Sequence, residues 1–451
     1  MTENNVQLKK TLTLPLLIGF GLAYLAPTVV FNYYGIWTVE TNGLYPLALL
    51  ITTAIMTITA YSYTRMCKVY PQAGSAYGYV AKSVNPNLGF LTGWVMLVDY
   101  LLLPMICYLL MGIYINEYFP AIPVWVLIVI FIGLGAIINI IGAKVATTVD
   151  TIIIIAQLVF TAVTIFLCIK YVLDGGGAGT VFDGTAVFNP ETFNASSVFT
   201  ASAVLCVSFV GFDAVTTMAE ETKNPEKVMT PAIMGVVLGA GIVFFITAYC
   251  LQIAWPEAAS MITDPDVGIY DFYPAIDQAL MADVFFVVDN FASFVCALAG
   301  MGAVSRLLFG MGRDNILPKK FFGKLSPKFQ TPVNNILLTS VIALSGIFYA
   351  DNLLGAAELV SFGASLGFIM VNVAVINHYY IRGGNREGAK NKIMYLVLPL
   401  LGVITLVIAF FFLGNGAKIL GCIWLVIGII YLAIKTKGFK ELPPEMHFDE
   451  E

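Results

Sequence analysis

Long apolar runs separated by short polar segments make up most of the chain. A membrane-spanning helix needs roughly 20 predominantly apolar residues. Twelve runs of about that length can be counted, and they predict an all-α integral membrane protein with 12 transmembrane helices. The runs lie at about 14–38, 44–66, 87–114, 122–142, 148–173, 197–219, 231–255, 283–311, 333–350, 353–380, 393–413 and 417–435.

Two of these runs are interrupted near their middle. The first contains GFGLAYLAPTVVF at 19–31, and the sixth contains SFVGFDAVTT at 208–217. Proline removes a helical hydrogen bond, and glycine costs about 1 kcal/mol in a helix interior. Broken helices at corresponding positions of two halves are the best sequence indication of a transporter with inverted repeats. The alternative is that these residues only allow close helix packing, which is common in membranes.

The spacing of the two breaks predicts the domain organisation. We expect one transporter domain, 1–451, whose first five spans (14–173) and next five spans (197–380) form two inverted halves. The last two spans, 393–435, would lie at the periphery. Two connecting segments are also predicted to contain helix: 68–86 as a re-entrant or surface helix, and 268–281 as a short amphipathic helix.

The composition agrees with a membrane protein and sets the expected chemistry. Hydrophobic residues make up 59% of the 451 residues and charged residues only 11%, against about 25% in soluble domains. The seven cysteines form no CxxC pair, and the two histidines, His378 and His447, are far apart. We therefore expect no metal site, no disulfide framework and no cofactor.

The basic residues predict the orientation. If the N-terminus is cytoplasmic, only Lys170 and Lys418 of the 23 Lys and Arg residues fall on the outer side. This distribution follows the positive-inside rule and predicts a multi-pass protein of the cell (plasma) membrane with both termini cytoplasmic. The outer loops keep mainly acidic residues, which would concentrate cationic solutes or would simply reflect the exclusion of positive charge.

Two acidic residues lie inside apolar runs. Asp99 lies in the third run, where an unpaired carboxylate costs at least about 2.5–3.5 kcal/mol at mid-bilayer. Asp99 is the first candidate to bind a substrate ammonium group or to carry a proton; alternatively it is a protonated structural residue that bonds a neighbouring helix. Asp213 follows the break of the sixth run, where a carboxylate can accept N–H bonds or bind a cationic amine.

The broken segments supply the rest of the expected substrate site. Half-helix N-termini attract anionic groups, and C-termini with free carbonyls attract cations. Nearby aromatic rings could add cation–π contacts, although each ring taken singly is also compatible with ordinary packing. Together with Asp99 and Asp213, the candidate substrate-binding residues are Ala23, Tyr24, Ala26, Pro27, Asn32, Tyr100, Ser208, Phe209 and Gly211.

Three motifs carry a resemblance to a known family. They are PQAGSAYGYVAKSVNPNLGFLTGW at 71–94, SFVGFDAVTTMAEETKNPEKVMTPAI at 208–233, and SRLLFGMGRDNILPKKF at 305–321 with TPVNN at 331–335. In this order and spacing they resemble the amino acid–polyamine–organocation superfamily of permeases. The resemblance implies a LeuT-like fold, with a 5+5 inverted repeat, broken helices 1 and 6, and alternating access to a central site.

Within the superfamily the chain is most similar to bacterial putrescine importers. The shared patterns are GWxxLxDYLxxPMI at 93–106, SFxGFDAVTTxxEET at 208–222 and SRLLxxMGRDNxxP at 305–318. One position differs: those importers carry an Asp after the Phe of TVF, where this chain has Asn32 after Phe31. One negative charge is therefore missing beside the first break, and this weakens the case for a dicationic substrate.

The resemblance also implies roles in gating and coupling. Asp213 would lie near the substrate path, and Glu220 and Glu221 would belong to a cytoplasmic gate, although a solvated helix end explains them equally well. Proton-coupled amino-acid members often carry a Lys in the fifth span, where this chain has Gln157. Because Gln157 cannot carry that charge, proton coupling would have to use Asp99, Asp213 or Glu220, and sodium coupling stays open.

The sequence therefore supports a transporter with two alternative substrates. The first hypothesis is import of a small amine-bearing solute, a diamine such as putrescine, driven by the proton gradient. The second is an amino-acid permease, acting as a uniporter or an exchanger. The expected partners are a small cationic or zwitterionic solute, H⁺ and the lipid bilayer, with no nucleic acid. No motif supports an enzyme, and the cytoplasmic loops are too short for a receptor's signalling domain.

Overall fold

The computed structural model describes residues 12–70, 75–141, 146–219, 222–313, 316–329 and 331–443. Within these ranges the regular structure is helical, apart from one isolated parallel β-bridge between Leu12 and Thr222. Ten helical segments are long and apolar enough to cross a membrane, and a shorter apolar segment spans 333–349. The chain is thus a multi-pass membrane protein.

The first half contains the first broken helix and four long helices. Two of the helix starts follow known rules: Asn85 caps α6 by accepting a bond from the Asn87 N–H at 2.8 Å, and proline occupies the first turn of α4 and of α6. The helices are α1 (Leu14–Leu25), α2 (Val29–Asn32), α3 (Tyr34–Glu40), α4 (Tyr45–Val69), α5 (Ser75–Ser83), α6 (Pro86–Tyr118), α7 (Val124–Ile141) and α8 (Ala146–Leu173).

The second half begins with the second broken helix. Short 3₁₀ segments follow α9 and α16, and π-helical turns follow α17 and α18. The helices are α9 (Ala195–Leu205), α10 (Ala214–Thr217), α11 (Pro225–Ala254), α12 (Ala258–Met261), α13 (Gly268–Ala275), α14 (Leu280–Arg313), α15 (Lys319–Phe322), α16 (Val333–Ala343), α17 (Leu353–Val375), α18 (Ala389–Lys392), α19 (Leu398–Phe412) and α20 (Asn415–Lys435).

Each of the twelve predicted runs coincides with helix in the structure. The bounds differ by a few residues, and the largest shift is at the start of α11, which begins at Pro225 instead of 231. The predicted short helix at 268–281 is present as α13 and ends at Ala275. The predicted helix in 68–86 is present as α5, and residues 71–74 lie outside the described residues.

Burial separates central helices from peripheral ones. The most apolar windows of α6, of α9–α10 and of the helix from Leu353 are 78%, 83% and 72% buried, so these helices form the centre. The windows of α7, α8, α19 and α20 are only 22–28% buried and present apolar side chains outward, as lipid-facing helices do. The second broken helix therefore lies in the core of the fold.

Helix α20 is joined to the core by a reciprocal tryptophan pair. The Trp94 indole N–H donates to the Trp424 carbonyl at 3.0 Å, and the Trp424 indole N–H donates to the Trp94 carbonyl at 2.8 Å. The two rings stack with centroids 4.8 Å apart. A buried indole needs a hydrogen-bond acceptor, and this pair satisfies both rings at once.

The first broken helix packs on α10 and α11 through a glycine. A Cβ atom at Gly21 would lie 2.6 Å from Val236 Cγ2 and 2.9 Å from Val215 Cγ2, which is closer than real Cβ contacts. A Cβ atom at Gly19, two residues earlier on the same helix, would meet no atom within 4 Å. The absence of a side chain at residue 21 thus lets α1 approach both helices.

We expect Gly21→Val to destabilise the protein, because overpacking of a close contact typically costs about 1–3 kcal/mol. The measurement is the fraction of detergent-extracted protein that elutes as a monodisperse peak after heating. Gly19→Val is the matched control and should elute like the unsubstituted protein. Equal loss in both variants would show that the α1 contact is not tight.

Candidate functional site

The first helix break lies between α1 and α2 and comprises Ala26, Pro27 and Thr28. Ala26 has φ = +48°, an uncommon conformation for a residue with a side chain. The Thr28 backbone N–H, which has no partner within the helix, donates to Gln157 Oε1 of α8 at 3.3 Å. Two residues beyond, the Val30 carbonyl accepts the Tyr45 hydroxyl at 2.9 Å. Side chains of neighbouring helices thus satisfy backbone groups next to the break.

The second helix break lies between α9 and α10. Val210 is extended, and Gly211 has φ = +118°, a conformation that essentially only glycine adopts. The Gly211 N–H donates to Asp213 Oδ1 at 3.1 Å, so the acid of the broken segment holds its own backbone turn. Asp213 therefore has a structural role in addition to its charge.

The two breaks contact each other. A Cβ atom at Gly211 would lie 2.3 Å from Tyr24 Cδ1, so the Tyr24 ring rests directly on the glycine backbone. Tyr24 is only partly buried and lies within electrostatic range of both Asp99 and Asp213. The broken segments and Asp99 of α6 consequently form one site.

Asp99 and Asp213 are the acids of this site. Each is 2% exposed, and they lie within electrostatic range of each other. The Tyr100 hydroxyl donates to Asp213 Oδ2 at 3.4 Å, whereas Asp99 Oδ1 has no hydrogen-bond partner among the described residues. In the described part of the chain, no Lys, Arg or His side chain forms an ion pair with either acid.

The other predicted site residues lie at different depths. Ser208 is 4% exposed and its hydroxyl has no partner within the described residues, so it is available to a ligand. Phe209 is fully buried and packs edge-on against Phe244 at 5.5 Å, which fits a packing role. The Ala23 side chain, Glu220 and Glu221 lie outside the part of the chain that the structure describes.

A second polar cluster, which the sequence reasoning missed, adjoins the first break. Its centre is Asp289 of α14, which is 1% exposed. The Thr28 hydroxyl oxygen lies 2.8 Å from Asp289 Oδ1 and 3.0 Å from Gln157 Oε1. The Ser293 hydroxyl donates to Asp289 Oδ2 at 3.5 Å, and the Asn32 side chain lies beside this carboxyl group.

The sequence contains a feature that identifies Asp289 as a candidate functional residue. It is an acid inside the eighth apolar run, and the reasoning applied to Asp99 applies to it equally. What the sequence could not show is its contact with Thr28, since the two residues are 261 positions apart. Gln157, singled out as a coupling residue, lies in this cluster and not beside Asp99.

Rings of α2, α8 and α14 cover this second cluster on one side. Phe285, one turn before Asp289, packs within 5.9 Å of Phe31 and within 5.7 Å of Phe160. The Tyr114 and Tyr270 rings each lie 5.7 Å from Phe285. The aromatic cluster thus packs between α13 and the turn of α14 that carries Asp289.

Comparison with known proteins agrees with a transport site. The profile of the amino acid permease family matches residues 17–441. The chain belongs to the amino acid permease family. Its relatives are membrane transporters, so the polar groups at the two breaks are to be understood as parts of a permease and not of an enzyme.

Three relatives show the range of the family. The low-affinity putrescine importer PlaP of Escherichia coli is 36% identical over 98% of this chain and 97% of its own length. The branched-chain amino acid permease BcaP of Lactococcus lactis is 26% identical over 93% of this chain and 89% of its own length. The methylthioribose transporter of Bacillus subtilis is 26% identical over 95% of this chain and 92% of its own length.

We expect Gly211→Ala to lower the melting temperature of the purified permease, because a side chain there costs about 1–3 kcal/mol in backbone strain and also displaces the Tyr24 ring. The control is Gly133→Ala in α7, where a Cβ would meet no atom within 4 Å. Thermal unfolding in detergent measures both. A melting temperature for Gly211→Ala at or above that of the control would contradict the described geometry of the break.

Proposed function

We propose that this permease is a secondary transporter that imports a small amine-bearing solute, putrescine or a related polyamine, across the cell membrane by alternating access. The observation that carries the proposal is the pair of buried acids, Asp99 and Asp213, at the helix breaks. Neither is paired with a described cation, and Asp99 Oδ1 has no described partner. Similarity to the E. coli protein named as a putrescine importer points the same way.

A protonated amine supplies what this site lacks. Buried ionised carboxylates are unstable unless they are paired or hydrogen-bonded, so a bound ammonium group is stabilised by both acids. Tyr24 and Tyr100, each only partly buried, flank them and can add cation–π contact with the amine. The Ser208 hydroxyl, which has no partner among the described residues, provides an acceptor for a remaining N–H group.

The fold that we propose has twelve transmembrane helices in a LeuT-like arrangement. Residues 14–173 and 197–380 would form the two inverted halves, with 393–435 as the two additional helices and both termini in the cytoplasm. The positions of the two breaks, at Ala26–Thr28 and Val210–Gly211, support this arrangement. The distribution of Lys and Arg supports the orientation.

Asp289 lies near the position at which this chain has Asn32 instead of the acid of putrescine importers. The sequence lacks the acid that putrescine importers carry beside the first break, yet a carboxyl group from α14 lies beside the Asn32 side chain. The first break therefore still has an acid beside it, although that acid comes from another helix. Asp99 and Asp213 are the two acids available to a dicationic substrate, and Asp289 is a third carboxyl group outside that pair.

The alternative is an amino-acid permease, which acts as a uniporter or an exchanger. Similarity to the L. lactis protein named as a branched-chain amino acid permease supports it. A zwitterion needs one acid for its ammonium group and N–H donors for its carboxylate. The Gly211 N–H, however, already donates to Asp213, and this leaves fewer free donors for a carboxylate.

We expect Asp99→Asn to lower the apparent affinity for radiolabelled putrescine, measured by uptake into proteoliposomes, at least about tenfold. Loss of one desolvated charge-assisted bond costs about 1.5–3 kcal/mol, equivalent to at least a tenfold decrease in apparent affinity. Asp174→Asn, an exposed carboxylate after α8, is the matched control and should transport normally. Unchanged transport by Asp99→Asn would remove Asp99 from the site.

We expect unlabelled diamines, and not neutral amino acids, to drive counterflow of labelled putrescine in a competition panel. The reason is the pair of uncompensated acids, which favours two positive charges over a zwitterion. Initial rates of exchange for putrescine, longer polyamines and branched-chain amino acids measure this preference. Exchange with amino acids alone would establish the second candidate function.

A further inference from the structure

The cluster around Asp289 contains more hydrogen-bond acceptors than donors. A threonine hydroxyl has one proton to donate. The Thr28 hydroxyl, however, lies at hydrogen-bonding distance from two acceptors, Asp289 Oδ1 at 2.8 Å and Gln157 Oε1 at 3.0 Å. With an ionised Asp289, one of these two contacts would join two oxygens with no proton between them.

Rotation of the Gln157 amide does not remove this conflict. The Thr28 backbone N–H donates to the same Gln157 oxygen at 3.3 Å, and this second bond fixes the oxygen towards Thr28. If the amide were turned, its NH₂ group would face the backbone N–H. Gln157 is therefore an acceptor in both contacts, and the missing donor must come from Asp289.

Asn32 provides separate evidence that the cluster lacks hydrogen-bond donors. Its side chain is 6% exposed and lies beside Asp289, yet its Oδ1 atom has no partner among the described residues. A buried acceptor without a donor is uncommon in native structures. The surroundings of Asp289 thus hold a second buried oxygen acceptor that no donor among the described residues satisfies.

No Lys, Arg or His side chain among the described residues supplies a donor to the cluster. In the described part of the chain, Asp289 forms no ion pair with Lys, Arg or His. The titratable groups within its electrostatic range are Cys107 and Tyr114 of α6 and Tyr270 of α13. All three are neutral or negative side chains, so none of them supplies a positive charge to the cluster.

We propose that Asp289 is the proton-binding residue that couples substrate entry to the proton gradient, and that Thr28 and Gln157 position its proton. This inference rests on the proposed transport function. When Asp289 is protonated, its O–H donates to Thr28 Oγ1, the Thr28 O–H donates to Gln157 Oε1, and each contact has one proton. The proton adds to a carboxylate oxygen on one side of the membrane and leaves from it on the other.

The distances favour a proton over a sodium ion. Separations of 2.8 and 3.0 Å between oxygens are those of O–H···O bonds, so the oxygens are drawn together around hydrogen. Deprotonation would remove one bond between the first break and its neighbours, because Thr28 belongs both to the break and to this cluster. Proton binding would in this way change how α14 and α8 hold the break.

The deciding experiment measures accumulation of labelled putrescine in proteoliposomes that contain the full-length permease. The membrane potential is clamped with potassium and valinomycin, and all buffers are free of sodium. A gradient of one pH unit supports about tenfold accumulation of a solute that enters with one proton. We expect this accumulation for the unsubstituted protein and none for Asp289→Asn, whose neutral amide mimics the protonated acid.

Counterflow without any gradient separates this inference from the proposed function. Asp289→Asn should still exchange putrescine at a measurable rate, since exchange does not require proton release. If the unsubstituted protein exchanges no putrescine, the proposed substrate is wrong, and the accumulation assay is repeated with the solute that does exchange. Accumulation by Asp289→Asn equal to that of the unsubstituted protein would overturn the inference, as would accumulation driven by sodium alone.

Two further sets of variants distinguish a loss of proton coupling from a folding defect. Asp283→Asn makes the same change on the same helix, at an exposed carboxylate that bonds the Tyr118 hydroxyl at 2.8 Å, and should keep normal coupling. Thr28→Ser retains the hydroxyl and should accumulate substrate, whereas Thr28→Val removes it and should shift the pH dependence of uptake. If Asp289→Asn does not fold, identical pH profiles for the two Thr28 variants would exclude the proton position proposed here.

Discussion

A backbone break inside a membrane is tolerated only where other groups satisfy the freed N–H and C=O atoms. Both breaks in this permease meet that requirement with side chains that also carry polar chemistry. Gln157 accepts the Thr28 N–H, and Asp213 accepts the Gly211 N–H. The site therefore does not consist of functional groups added to a finished scaffold. The residues that keep the broken backbone intact are the same ones that shape the binding region, and their substitution disturbs both.

The three buried acids near the breaks differ in what surrounds them. Asp213 is held by a backbone N–H and the Tyr100 hydroxyl, and Asp99 keeps an oxygen without a described partner. Both lie beside Tyr24, which is not fully buried. Asp289 is instead enclosed by Thr28, Asn32 and Ser293, with an aromatic cover one turn away. Their surroundings thus favour an amine at the first pair and a proton at the third acid.

Much of the fold could be predicted because hydropathy is a local property of the chain. All twelve apolar runs coincide with helix, and both breaks occur where glycine and proline interrupt the pattern. The resemblance to permeases is confirmed by the family match over residues 17–441. The polar cluster could not be predicted in the same way, because α1, α8 and α14 bring together residues that are far apart in sequence. Asn32 was interpreted as a lost charge only because its neighbour Asp289 could not be seen.

The contact between Asn32 and Asp289 also shows why a charge count along one helix is a poor guide to substrate class. A cavity responds to the summed field of every acid around it, whichever helix supplies the side chain. An acid that contacts the break from α14 can act on a cation much as an acid on α2 would, but it differs in one respect. Through Thr28 it is bonded to the break itself, so its protonation state is linked to the backbone of the break. The position of the acid, more than its presence, is therefore what suits it to the proposed proton coupling.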